Sequence, residues 1–517
     1  MRVLVVLFIF IPCSLFSQQN NFLLLTNDNL FIDSYCASTD SFYHTTFKPV
    51  VKSTLSGYKN IENRILRLEG DSAFIANKGH KLFWKKLLTD DLIKVNKEQF
   101  HLSINPIINF EYGLDSTKRL TVNSRGLIIN GDLSDKFSFT TGVIETQVFP
   151  EKYLTEYIRI KSVAPGQARV KSFKNTGFDY SYSFGHISYS PSKHFNFQLG
   201  HGKHFIGDGY RSLLLSDVSS NYPYLRTTIT YKRIQYVNMW AAFQEVKPYD
   251  NRTLVYQRKH GAFTFLNFLI TPKIQFGLFE AIIFQTTDST SNNKIPLNYL
   301  NPIIGSRTLQ YGLGYKHNAL IGVTGHATIF KHFICYGQFV LDDLKAQNET
   351  DNFKNRYGYQ FGIKLLEPFK IKNLFVLTEY NAVKPYSYFS TSEHQNYSAF
   401  NEPLSHPSGA NFKEFVFFVK YCYKDMFCQL KLTTSHTYQH FITLDNGTNI
   451  FYNVNEVNYN NIYHDVTNFN FEMGIAINES NRLQLVGGIH LRENFQPHTT
   501  YYYISLRTSI SNLYYDF

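Results

Sequence analysis

No stretch of this sequence beyond its first residues is apolar for the roughly 20 positions that a membrane-spanning helix needs. The longest later candidate, Ala262 to Ile270, contains Asn267, so helical spans are excluded. Tryptophan and methionine are scarce, at 2 and 4 residues of 517, and cysteine numbers only 5. That is too few for a disulfide scaffold. The cysteines that concern the mature chain are Cys36, Cys335, Cys422 and Cys428. No Gly-x-Ser-x-Gly elbow is present, which removes the commonest serine-nucleophile signature, and no His-Glu-x-x-His motif points to zinc.

What is abundant is tyrosine and phenylalanine, 37 and 47 residues, in a chain whose mean hydropathy is only -0.25. Aromatic richness with modest hydropathy is what alternating apolar and polar positions produce, as in transmembrane barrels. The N-terminus sets the compartment. Met1, Arg2 and the apolar run Val3 to Ile11 form a signal peptide over residues 1–17, too short to span a bilayer and interrupted by Pro12. Pro12 before Cys13 is a poor fit to a lipoprotein processing site. The formal charge of +11 indicates an anionic partner, and for an exported chain that means lipopolysaccharide or an acidic polysaccharide, not nucleic acid. Lysines simply solvated on loops explain the charge equally well.

Residues 18–100 read as a small helical unit. Ile61, Ile65 and Leu68, then Leu82, Phe83, Leu87, Leu88, Leu92 and Ile93, recur near a period of 3.6. A unit this small is expected to pack against the rest of the chain. From residue 101 to 517 the period becomes two. It is clear at Leu102, Ile104, Ile108, Phe110 and Tyr112, at Tyr180, Tyr182 and Phe184, at Phe195, Phe197 and Leu199, and at Phe415, Phe417, Val419 and Tyr421. About eighteen such strands fit, joined by links that alternate between short and mostly long. Tight turns such as Lys232 to Arg233 and Lys424 to Met426 face long links such as His201 to Tyr224, Asn381 to Phe412 and Thr437 to Val466. The expectation is an all-β, antiparallel outer-membrane barrel with periplasmic turns, extracellular loops and the helical unit on the periplasmic side. Phe517 supplies the terminal aromatic expected for the barrel-assembly machinery, with a bulge near Ser511 and Asn512 bringing it into phase. Cys422 and Cys428, symmetric about Asp425, are candidates for a strained cross-strand disulfide.

Several loops carry candidate chemistry. The run from His201 to Asp217 is glycine-rich but lacks the Lys after its second glycine that a phosphate loop requires. Its glycines read as turn residues, and Lys203 and Arg211 as exposed anion contacts. His201 and His204 have no third ligand at diagnostic spacing, so no metal or cofactor is expected. The segment 384–414 sets Tyr386, Tyr388, Tyr397, Asn401 and His406 among polar residues, surfaces suited to sugar rings or to covering a barrel mouth.

The stretches Gly207 to Asp217 and Leu404 to Asn411, together with a helical N-terminus, resemble the Wzi-like capsule-assembly barrels, in particular Bacteroidetes members associated with gliding motility. The resemblance implies a non-enzymatic surface lectin that holds capsular polysaccharide. Its best-matching positions are Gly207, Asp208, Gly209, Tyr210 and Arg211. The expected polysaccharide contacts are therefore Lys203, Asp208, Tyr210, Arg211, Tyr386, Tyr388, Tyr397 and His406. A porin or transporter is the alternative reading, and a barrel-embedded hydrolase the third; secretion or motility partners are unspecified.

Overall fold

The computed structural model describes residues 19–66, 86, 90–115, 118–246, 256–285, 287–288, 291–292, 297–306, 308, 317–343, 355–390, 395–438, 450–451, 463–494 and 498–517. The signal-peptide reading of residues 1–17 and the helical positions Leu68, Leu82, Phe83, Leu87 and Leu88 lie outside them.

The chain closes an antiparallel barrel of 18 strands. They are β1 (Phe100–Asp115), β2 (Lys118–Leu133), β3 (Phe137–Phe149), β4 (Gly177–Ser192), β5 (Phe195–Gly202), β6 (Tyr222–Tyr231), β7 (Ile234–Val246), β8 (Tyr256–Thr271) and β9 (Ile274–Phe284), continued by β10 (Asn318–Ile329), β11 (Phe333–Asp343), β12 (Arg356–Leu366), β13 (Leu374–Val383), β14 (Phe412–Tyr423), β15 (Met426–Tyr438), β16 (Tyr463–Asn478), β17 (Leu483–Glu493) and β18 (Thr499–Thr508). Each strand pairs with its sequence neighbour, and β18 closes on β1 from Tyr501 opposite Asp115 to Arg507 opposite Asn109. Closure gives every strand a lateral partner on both sides along most of the wall, the condition for placing strands in lipid.

Alternation assigns the two faces. In β14, Phe412, Glu414, Val416, Phe418, Lys420 and Cys422 are buried while Lys413 and Phe415 are exposed. Phe415, Phe417, Val419 and Tyr421 thus form the lipid face, as do Phe195, Phe197 and Leu199 in β5. Tyr180 shows the reverse: it points inward, its hydroxyl donating to Gln167 Oε1 at 3.0 Å. A period of two defines faces but not which one is inside. At the short-turn end, Phe330 and Phe369 are 90% and 91% exposed, as aromatic anchors at a membrane interface are.

The lumen is filled from three directions. At the short-turn end, helix α1 (Thr26–Ser38) lies inside the mouth, with Leu30, Phe31, Ile32, Asp33 and Ala37 buried. Asp28 pairs with Arg482 at 2.9 Å, and Phe31 meets Phe375 edge-on at 5.1 Å. Helix α2 (Tyr58–Ile65) packs beside it through Tyr58 and Ile61. The helical spacing read through Ile93 is corrected at its end: Ile93–Lys97 is a strand paired with Phe100 to Ile104. Since β18 pairs with β1 only from Asn109 onward, the start of β1 has a free edge, and the preceding segment covers it.

Two expectations about the wall fail. The final strand ends at Thr508 with no bulge; residues 509–517 leave the sheet and turn inward, where Tyr514 and Asp516 are buried. Cys422 and Cys428 form no disulfide. The β14–β15 turn places Tyr423 opposite Met426, so Cys422 faces Phe427 and Cys428 faces Tyr421. The thiols are out of register by one residue and lie on opposite faces of the sheet.

In a variant whose native cysteines are serine, Arg159→Cys is expected to react with a membrane-impermeant maleimide on intact cells. Asp425→Cys is expected to react only after the outer membrane is permeabilised. The opposite pattern would invert the topology.

Candidate functional site

The long link between β5 and β6 does not project outward. Residues 203–221 fold into the barrel, where Phe205 and Ile206 pair with Phe47 and Lys48 of the N-terminal segment as a two-residue antiparallel ladder. Two glycines permit the next step. Gly207 has φ +127°, and a Cβ there would lie 2.1 Å from Gln338 Nε2; one on Gly209 would lie 2.2 Å from Glu379 Oε2. The bare backbone thus reaches the wall, and Glu379 of β13 accepts the N–H groups of Tyr210 and Arg211 at 2.8 and 3.0 Å. The glycine-rich run is a close-approach device that cradles a wall carboxylate with its amides.

Arg211 comes next and is 1% exposed. It donates to Glu414 Oε1 of β14 at 2.9 Å and lies 3.1 Å from Asp516 Oδ1 on the inward-folded tail. Asp516 also accepts from the Tyr210 hydroxyl at 2.8 Å and pairs with Lys431 of β15 at 3.1 Å. His406 contacts the second Glu414 oxygen at 2.7 Å through Nε2. The Arg211 guanidinium stands 4.8 and 5.2 Å from the ring centroids of Tyr210 and Tyr514. With Glu379, one buried cluster therefore joins the inward-folded plug loop 203–221, three wall strands, the covering loop at His406 and the tail.

Leu213, Leu214 and Leu215 then bury fully against Phe243, Phe263, Phe265 and Phe279. The Leu213 and Leu214 carbonyls accept the hydroxyls of Tyr388 and Tyr397 at 2.8 and 2.6 Å, and the two tyrosine rings stack at 5.8 Å. Asp208 is buried 3.6 Å from Lys48 and 3.4 Å from His326. Burial pushes its carboxyl up, but those neighbours outweigh it and hold the group well below the usual carboxylate range. Lys203 donates to the carbonyls of Gly166 and Asp217 at 2.5 and 3.0 Å; burial lowers its pKa against the pull of Asp217 and Glu402. Glu402 is pushed up to about 7 by burial, opposed by the Gly166 N–H at 2.8 Å.

The expected contact residues are therefore brought together, but inward. Arg211 is not an exposed loop charge, and Tyr388, Tyr397 and His406 are sealed under the mouth with their polar atoms committed to the plug and wall. Tyr386 is half-buried with φ +62°. Sequence reasoning passed over Glu379, Glu414, Lys431, Glu402 and Asp516. The available signal was a charged residue on the inward phase of an otherwise apolar strand, as in Leu374–Val383 and Phe412–Tyr423.

No family model matches the chain, and no curated protein does. Among solved structures the fold is similar to Wzi of Escherichia coli, described as an outer membrane protein involved in group 1 capsule assembly and a carbohydrate-binding β-barrel. The TM-score is 0.56 at 12% identity, covering 95% of this chain and 100% of that one. The chain is an outer-membrane β-barrel. OccAB2 of Acinetobacter baumannii aligns at TM-score 0.43 and 11% identity, over 78% of this chain and 97% of that one. OprD of Pseudomonas aeruginosa aligns at 0.40 and 8%, over 78% and 94%. With the barrel in the outer membrane, the end with the short links is periplasmic and the long-loop end extracellular.

Arg211→Ala is expected to destabilise the folded barrel by about 3–5 kcal/mol, because it strands buried carboxylates without their partner. Arg211→Lys should lose less, keeping the charge without the planar fork. Urea midpoints of the refolded protein check this, and a wild-type midpoint for Arg211→Ala would remove the cluster from its structural role.

Proposed function

We propose that this chain is a non-enzymatic barrel that binds cell-surface polysaccharide and holds it at the outer membrane. The observation that carries the reading is the filled lumen: three inward-folded segments occupy the space through which a porin of this strand number would conduct. Among the described residues, the side left facing outward carries the link between β3 and β4 with its helix Lys152–Lys161 and the covering loop 395–411. Similarity of fold to a carbohydrate-binding capsule-assembly barrel supports the same reading. A link to gliding motility enters from the sequence resemblance alone.

With Arg211 buried, the contacts for an acidic polymer belong elsewhere. Lys152, Arg159, Lys171 and Lys174 are exposed on the link between β3 and β4, on and just beyond helix α3 (Lys152–Lys161), with Glu156 the one exposed acid on that helix. Multiple exposed bases attract a polyanion in a salt-dependent way, since such contacts are screened over about 8–10 Å at physiological ionic strength.

Cells lacking the protein are expected to shed surface polysaccharide into the medium. A variant with Lys152, Arg159, Lys171 and Lys174 all changed to Ala should hold an acidic polymer less well at low salt and converge on the wild type at high salt. Retention unchanged in the deletion strain, measured as cell-bound against released polymer, would overturn the reading.

A further inference from the structure

Beside the plug, the blocked lumen keeps an internal cavity. Between the inward-folded tail and the wall around β1–β4 and β15–β18 runs a cavity of about 320 Å³, within the size range of small-ligand sites. Its lower part shares Thr508 and Ile510 with a wider cavity of about 1130 Å³ bounded by the periplasmic turns at Ser134 and Asn481. Its upper end lies beneath Leu154 and Ile158 of α3. It is roofed on the outside and adjoins a cavity at the periplasmic end.

The lining has a definite chemistry. Tyr501 and Tyr503 stack with ring centroids 5.2 Å apart and planes inclined by 20°, and Tyr180 and Tyr182 line the same space. Tyr501 donates to Glu111 at 2.9 Å. Glu472 takes Arg507 at 2.8 Å, Gln429 Nε2 at 2.6 Å and the Tyr503 hydroxyl. The atoms left over are acceptors: Asn109 Oδ1 and Gln429 Oε1 are buried without a hydrogen-bond partner, a costly state that a donor-bearing ligand relieves. The two fixed cations lining the cavity, Lys431 and Arg507, are already paired with Asp516 and Glu472 at 3.1 and 2.8 Å, so an anion finds no free partner in them.

Tyrosine rings, spare acceptors and cations that are already committed match a neutral polyhydroxy ring. We propose that this cavity is a binding site for a neutral saccharide unit entering from the periplasmic side, resting on the polysaccharide reading above for the source of the sugar. The site is chemically distinct from the basic outer loop, which suits an acidic polymer.

The test uses the refolded full-length barrel in detergent. Glucose, galactose, mannose and N-acetylglucosamine serve as neutral probes and glucuronate as the anionic comparator, followed by saturation-transfer NMR and calorimetry. At least one neutral probe is expected to bind more tightly than glucuronate. Asn109→Trp places an indole in the cavity while removing none of the hydrogen bonds described, and should weaken binding by about tenfold or more. Asn109→Leu, which deletes the spare acceptor in nearly the same volume, should also weaken it and serves if the larger side chain prevents folding. Absence of binding by every neutral probe, wild-type affinity in a folded variant, or preference for glucuronate would each overturn the proposal. These outcomes are separable from failure of the polysaccharide reading, which is decided by polymer retention in the deletion strain.

Discussion

The structure depends on a buried ion cluster in which Arg211 is held between Glu414 on the wall and Asp516 on the tail. Charges removed from water are costly unless each finds a partner in good geometry, and here the partners come from parts of the chain far apart in sequence. Glu379 and Glu414 reach in from β13 and β14, Lys431 from β15, His406 from the covering loop and Asp516 from the tail. Forming the cluster therefore requires the plug, the wall, the loop and the tail to be in place together. Its mutual dependence explains why so much of the chain folds inward.

Once that cluster is fixed, the remaining interior has little freedom. Gly207 and Gly209 allow the backbone to lie against Gln338 and Glu379 where any Cβ would collide. Three leucines beyond Arg211 supply the apolar mass that excludes water around the charges, and Tyr388 and Tyr397 satisfy carbonyls that the leucines would otherwise bury unpaired. The N-terminal segment completes the seal from the other end, through the ladder at Phe47 and Lys48 and the pairing of Lys48 with Asp208. The wall separates two environments one residue apart: Phe415 faces lipid, and Glu414 beside it faces the cluster.

The barrel was legible because lipid imposes a rule on every strand. Period-two alternation, together with short turns opposite long loops, is required wherever one face meets hydrocarbon and the backbone must pair laterally. The interior obeys no such repeating rule. Nothing local in Gly-Asp-Gly-Tyr-Arg says whether that loop stands in water or folds into a lumen, since the deciding partners, Glu379, Glu414 and Asp516, lie over 160 residues away in the chain. The tail misled for the same reason: Tyr514 and Asp516 belong to the cluster, so the terminal segment obeys interior chemistry instead of the outer-face phase. Cys422 and Cys428 needed the turn register, which a symmetric spacing about Asp425 placed one residue off.

The central claim is that the chain's own inward-folded segments, locked at Arg211, close the lumen. Planar-bilayer conductance of the purified barrel tests it most directly. The wild type is expected to show no steady open channel, and the double variant Arg211→Ala, Asp516→Asn to show repeated conducting openings as the plug and tail come free. A stable, large conductance in the wild type, unchanged by that double substitution, would contradict it.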